Sequence, residues 1–190
     1  MWNGISHDIN TSAPLSETQS KTQIAVIFEQ EWESRRVLQT KLRFYNTVKH
    51  CFGYETYLDI VDVVSRKALS RLRFSAHDLK IETGRYTSGG KRHSKLERLC
   101  RYCYDKDDLD SITLLEDLPL FDPIIESEEH VMTVCPGYHH LRIALSDALK
   151  CNLLLGNYPY IMGQPNLAKE LGSYLNKSFK VRNPNKQNYK

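Results

Sequence analysis

Apolar and aromatic positions recur at helical spacing along most of the chain. Ile24, Ile27, Phe28 and Trp32, followed by Leu38, Leu42 and Tyr45, predict a helical segment over residues 22–49. Gly53 marks a break, and residues 54–62 fit a short helix. Over residues 63–83, Leu69, Leu72, Ala76 and Leu79 share one helical face, while Arg66, Ser70, Arg73, His77 and Lys80 line the face beside it. Gly84 fits the left-handed position that ends such a helix. Pro136 opens a helix carrying Leu141, Ala144, Leu145, Ala148 and Leu149, and Pro165 opens another carrying Leu167, Leu171, Tyr174 and Leu175. Strand candidates are short, near 112–115 and 130–134. The pattern predicts a mainly α fold, a small helical domain with at most a short β-hairpin.

The 190 residues are enough for one domain with tails. Residues 1–21 are rich in Ser, Thr and Asn and hold too few large apolar groups to offset ordering entropy, so they read as a disordered N-terminal tail. Residues 22–95 form a helical basic region and residues 96–150 a cysteine-bearing region. Residues 151–176 read as a C-terminal helix. Residues 177–190 hold five bases and no acid, and read as a mobile basic tail. No internal repeat is visible. No apolar run approaches the roughly 20 residues that span a bilayer, and the N-terminus lacks a charged-then-apolar signal. The expectation is an intracellular protein, nuclear or cytoplasmic, without a membrane partner. Five cysteines in a reducing compartment argue against a disulfide framework.

The net charge of +3 conceals a strong segregation. Residues 63–101 hold eleven bases against three acids, and residues 104–130 hold ten acids against one base. Such a division predicts a positive face beside an acidic loop. A charge run is often only a solvated surface. Here Tyr86 and Tyr102 lie among the bases, and cations with aromatic planes suit phosphates and unpaired bases. The candidate nucleic-acid contacts are Arg71, Arg73, Lys80, Arg85, Lys91, Arg92, Arg98 and Arg101.

Cys100 and Cys103 form a Cys-x2-Cys pair, in which two thiolates can reach one ion from a tight turn. A closed structural zinc site needs two more ligands, and His130 and Cys135 supply them. Spacing alone leaves the histidine open, because Cys135 and His139 also form a chelating pair, with His140 beside them. The cysteines also suit a buried apolar role. A redox pair would want a β-α-β setting that is not visible. Cys51 and Cys151 read as core residues. There is no phosphate-binding glycine loop, no Gly-x-Ser-x-Gly and no other catalytic constellation. The expectation is a non-enzymatic protein with no small-molecule substrate.

The stretches KLRFYNTVKHCFGYETYL (41–58), RLRFSAHDLKIETGRY (71–86), ERLCRYC (97–103) and SEEHVMTVCPGYHHLR (127–142) resemble the C-terminal, zinc-knuckle-bearing region of non-LTR (LINE-type) retrotransposon reverse transcriptases. The resemblance covers roughly residues 22–150. In that family an acidic run precedes the ligand histidine and Cys-Pro follows it. The resemblance therefore implies that His130, behind Glu128 and Glu129, joins Cys100, Cys103 and Cys135 in a CCHC knuckle holding Zn2+. It further implies a non-catalytic module that binds RNA or DNA beside a reverse transcriptase core. The polymerase and nuclease motifs themselves are absent from this sequence. Other readings are a zinc-stabilised protein–protein interaction module, whose acidic 104–130 stretch meets a basic partner, and a remnant of a transposable element.

Overall fold

The computed structural model describes residues 16–60, 62–86, 92–104, 123–154 and 156–183. The expected strand at 112–115, most of the acidic stretch, and residues 1–15 and 184–190 of the expected tails lie outside them. The chain divides between Leu38 and Gln39 into two compact units.

The first unit contains α1 (Glu17–Leu38), which begins inside the segment expected to be a tail. Its charges are arranged as one-turn pairs: Lys21 with Glu17, Arg35 with Glu31 and Arg36 with Glu33. None of its residues is buried, and Ile24, Ile27, Phe28, Val37 and Leu38 are exposed.

The second unit is mainly helical. The helix expected over 22–49 is interrupted at Gln39. A 3-10 turn (Thr40–Leu42) leads into α2 (Arg43–Val48), which buries Phe44, Tyr45 and Val48. A second 3-10 turn (Thr56–Asp59) buries Tyr57. Next comes α3 (Val63–Arg73), capped by Asp62, whose carboxylate accepts from the amides of Val64 at 3.1 Å and Ser65 at 3.2 Å. The helix expected to run to residue 83 stops at Arg73. Ser75 takes a left-handed backbone (φ 49), and the chain re-forms a single turn as α4 (Lys80–Thr83). Gly84 does not occupy a left-handed position, having φ −66. Its lack of a side chain serves another purpose, because a Cβ there would lie 2.8 Å from Cγ of Arg98.

Leu99 and Ile125 form an isolated antiparallel bridge, the only β pairing among the described residues. Residues 130–134, a strand candidate, begin inside α5 (Glu128–Thr133) instead. The Ser127 hydroxyl accepts from the His130 amide, and Glu128 and Glu129 sit in the first turn, where the helix dipole favours negative charge. A 3-10 turn (Pro136–Tyr138) leads to α6 (His139–Leu149), which ends on Lys150 in the left-handed region (φ 53). The expected single helix over 151–176 is two. α7 (Tyr158–Gly163) stops where Gln164, ahead of Pro165, is held extended. After a 3-10 turn (Pro165–Leu167), α8 (Ala168–Arg182) runs six residues into the segment expected as a basic tail.

The core lies between α3 and α8. Leu69, Leu72, Leu171 and Leu175 are fully or almost fully buried, with Phe44, Met132, Leu145 and Met162 around them. Gly172 allows the close approach: a Cβ there would lie 2.6 Å from the Ser65 carbonyl oxygen. A smaller apolar cluster of Leu79, Ile81, Val131 and Tyr138 surrounds Cys100 and Cys135. The break at Gln39 coincides with none of the segment boundaries expected from charge and spacing. The main core takes residues from Phe44 to Leu175, so residues 39–95 of the basic region and the cysteine-bearing region belong to one compact unit.

Candidate metal centre

Four potential ligands converge from two loops and a helix. The Cys100 amide donates to the Ile124 carbonyl at 2.9 Å, which fixes it beside the β bridge. The chain then turns sharply, with the amides of Cys103 and Tyr104 donating back to the Cys100 carbonyl at 3.1 and 3.2 Å. This turn brings two thiols separated by two residues to one point. His130 projects from α5, and Cys135 follows that helix with its amide donating to the His130 carbonyl at 2.9 Å.

The ligand atoms of Cys100, Cys103, His130 and Cys135 lie within 4.8 Å of one another. Cys100 Sγ is 3.6 Å from Cys135 Sγ, and Cys103 Sγ is 3.3 Å from His130 Nε2. Around a tetrahedral ion with sulfur at about 2.3 Å and nitrogen at about 2.1 Å, those separations would be about 3.8 and 3.6 Å. These two separations lie within about 0.3 Å of the tetrahedral values, and the cluster can hold a metal. Cys100 and Cys135 are inaccessible, His130 is buried and Cys103 half-buried, which describes a closed site. Its three sulfurs and one imidazole, with no carboxylate among them, favour a borderline or soft cation over a hard one.

The thiols lie close enough to shift one another's pKa. The hydrogen bond with Cys135, aided by His130, holds Cys100 down at about 4. That bond, together with burial, pushes Cys135 up. Burial and the Cys100 charge push Cys103 up to about 11. Three thiols this close do not all ionise unless a cation offsets their mutual repulsion.

Of the alternative ligands, His139 and His140 are exposed on the first turn of α6, outside the cluster. Cys51 and Cys151 are exposed, contrary to the expected core role. Each lies just beyond a helix end, in the loops after α2 and α6.

Packing around the site was less legible in the sequence. Tyr102 lies against Gly137, where a Cβ would come within 2.5 Å of the ring. Its hydroxyl donates to the Val181 carbonyl at 2.9 Å, and its ring meets Tyr138 edge-on at 5.2 Å. The cysteine turn is thereby tied to the end of α8. Glu126, fully buried, accepts from the Lys80 amide at 2.8 Å and pairs with Arg182 at 2.7 Å. Burial raises its pKa, and Arg182 opposes the rise. On the other side Arg43 bridges Glu82 and Glu128, and Glu128 also pairs with buried His77 at 2.9 Å. Burial works against ionisation of Glu128, but the bonds from His77 and Arg43 prevail and hold it at about 2. Sequence spacing signalled none of these partners, which are remote in the chain.

The candidate phosphate contacts divide. Arg73 is buried: it pairs with Glu55 at 2.8 Å, donates to the Met162 carbonyl and lies over the Tyr57 ring, so it serves the core and presents nothing to a phosphate. Arg71 is half-buried. Lys80, Arg92 and Arg101 are exposed, with Arg101 over the Tyr102 ring. Arg85 and Arg98 are half-buried beside α4. Lys91 lies outside the described residues.

No protein-family model, curated protein or solved structure matches the chain. Among the described residues, no helix is long and apolar enough to cross a membrane.

Proposed function

We propose that this protein is a non-catalytic nucleic-acid-binding module whose fold is fastened by a structural zinc ion held by Cys100, Cys103, His130 and Cys135. The observation that carries this reading is the closed Cys3His cluster with an exposed cation, Arg101, within the cysteine turn. A Cys3His set with all four positions filled by protein leaves no open site for a substrate or water, which favours a structural over a catalytic ion. When bound, zinc would supply the positive charge that lets all three thiols ionise and would cross-link the cysteine turn to α5. In this reading the RNA or DNA is met by arginine and lysine, as the resemblance to the reverse transcriptase C-terminal region also implies.

The test pairs metal analysis with a gel shift in rising salt. One zinc per chain, together with a nucleic-acid complex that weakens steeply with salt, supports the proposal. Absence of zinc from reduced, unchelated protein overturns the metal assignment. Failure to bind RNA and DNA at low salt overturns the nucleic-acid assignment. That second outcome would favour a protein–protein interaction module, for which the exposed Ile24, Ile27 and Phe28 of α1 are the relevant observation.

A further inference from the structure

An open groove of about 660 Å³ lies beside α4, away from the thiols, and four cations line it: Arg43, Arg85, Lys95 and Arg98. Its volume falls within the range of roughly 300–1,000 Å³ typical of small-ligand pockets. Two carboxylates share the lining, Glu128 and Glu129. Glu128 is already engaged by Arg43 and His77. Glu129 remains exposed on the rim.

Two of the cations form no salt bridge among the described residues. Arg98 donates to the carbonyls of Ile81 and His93, both at 2.9 Å, and these are neutral acceptors that fix the guanidinium without cancelling it. Lys95 is exposed and has no carboxylate within ion-pair distance among the described residues. Arg85 reaches Glu82 only at 3.7 Å, while Arg43 holds that carboxylate more closely. Crowding of like charge around an open groove is what an anion relieves. Next to Arg85, Tyr86 is exposed, with Lys41 over its ring at 5.5 Å, a plane for stacking beside the cations.

Resting on the nucleic-acid reading above, we infer that this groove is the phosphodiester subsite for an unpaired nucleic-acid strand, with Arg85, Lys95 and Arg98 facing the phosphate and Tyr86 stacking on a base. A groove of this volume receives a single nucleotide rather than a duplex, and only an unpaired base offers its face to Tyr86. Glu129 would then be a rim charge that repels the strand.

Fluorescence anisotropy of the whole protein with labelled oligothymidylate, oligouridylate and a hairpin duplex tests this. Each phosphate contact adds about 0.7 to the log–log salt slope for a single strand, so Lys95→Ala should weaken single-strand binding about fivefold at about 0.1 M salt and lower the slope by about 0.7. Glu129→Gln should tighten binding, a gain that a merely structural role would not produce. Lys169→Ala, exposed on α8, should change neither. If wild-type protein binds single strands and both groove variants match it, the groove assignment is overturned while the nucleic-acid function stands. Tighter binding of the duplex than of either single strand overturns the unpaired-strand assignment. If wild-type protein binds none of the three probes, the function itself falls and the groove assignment with it.

Discussion

Cys103 Sγ and His130 Nε2 approach to 3.3 Å although 27 positions separate them in the chain. Cys103 is held by its turn onto the Cys100 carbonyl, and His130 by the Ser127 cap of α5, so hydrogen bonds within the chain bring both side chains to one point. This geometry makes the histidine assignment sharp. His130→Ala should abolish near-stoichiometric zinc, whereas His139→Ala should retain it, as read by elemental analysis of protein purified without chelator. Cys103→Ser should behave like His130→Ala. Because metal affinity in such sites is linked to folding, on the order of 10 kcal/mol in small zinc domains, chelation should also lower the thermal midpoint of the wild type and leave that of His130→Ala unmoved.

The second fastening of the site is ionic. Arg182 closes on Glu126 at the end of α8, with both groups almost wholly inaccessible. Removing one member of such a pair leaves the other buried and uncompensated, at a cost of about 3–5 kcal/mol. Arg182→Met should therefore be strongly destabilising in urea denaturation. Adding Glu126→Gln to it should recover part of the loss, because the stranded charge is gone. Equal stability of the single and double variants would show that Arg182 acts by packing alone.

The interval between α3 and α8 depends on one missing side chain. Gly172→Ala would set a methyl group 2.6 Å from the Ser65 carbonyl oxygen, which is backbone and cannot rotate away. The helices would have to separate, and overpacking of this kind costs typically about 1–3 kcal/mol. Urea denaturation should show the loss, and Gly156→Ala, where nothing lies within 4 Å of the new methyl, should show far less.

How far these relationships were visible in the sequence depends on their range. The spacings Cys100–Cys103 and His130–Cys135 are local, so candidate ligands could be read from them, although spacing alone left His130 and His139 open, and the apolar faces of α6 and α8 followed from their period. What failed was partnership across distance. His77 and Arg73 occupy a polar face by spacing, yet both are buried because Glu128 and Glu55 come from elsewhere to meet them. Arg182 read as part of a tail for the same reason: its charge was visible and Glu126 was not. The break after Arg73 was hidden because Ala76 and Leu79 continue the helical period across it. Only the backbone at Ser75, turned left-handed, reveals that the chain has left the helix.

Among the described residues, Lys150 is the other non-glycine position with a left-handed backbone. Lys150 ends α6 with φ 53, exposed to solvent, while its amide donates to the Ser146 carbonyl. An L side chain in this region costs roughly 1–2 kcal/mol, and glycine avoids that cost while giving back some entropy in the unfolded chain. Lys150→Gly should accordingly stabilise the protein by about 0.5–1 kcal/mol in urea denaturation, with unchanged zinc content. Lys150→Val should do the reverse, because a β-branched side chain tolerates the left-handed backbone least. If both substitutions are neutral, the α6 terminus does not hold the left-handed turn in solution, and the loop leading to α7 is set by its other contacts: the Leu154 amide on the Asn157 side chain at 2.7 Å and the Asn157 amide group on the Asn152 carbonyl at 2.9 Å.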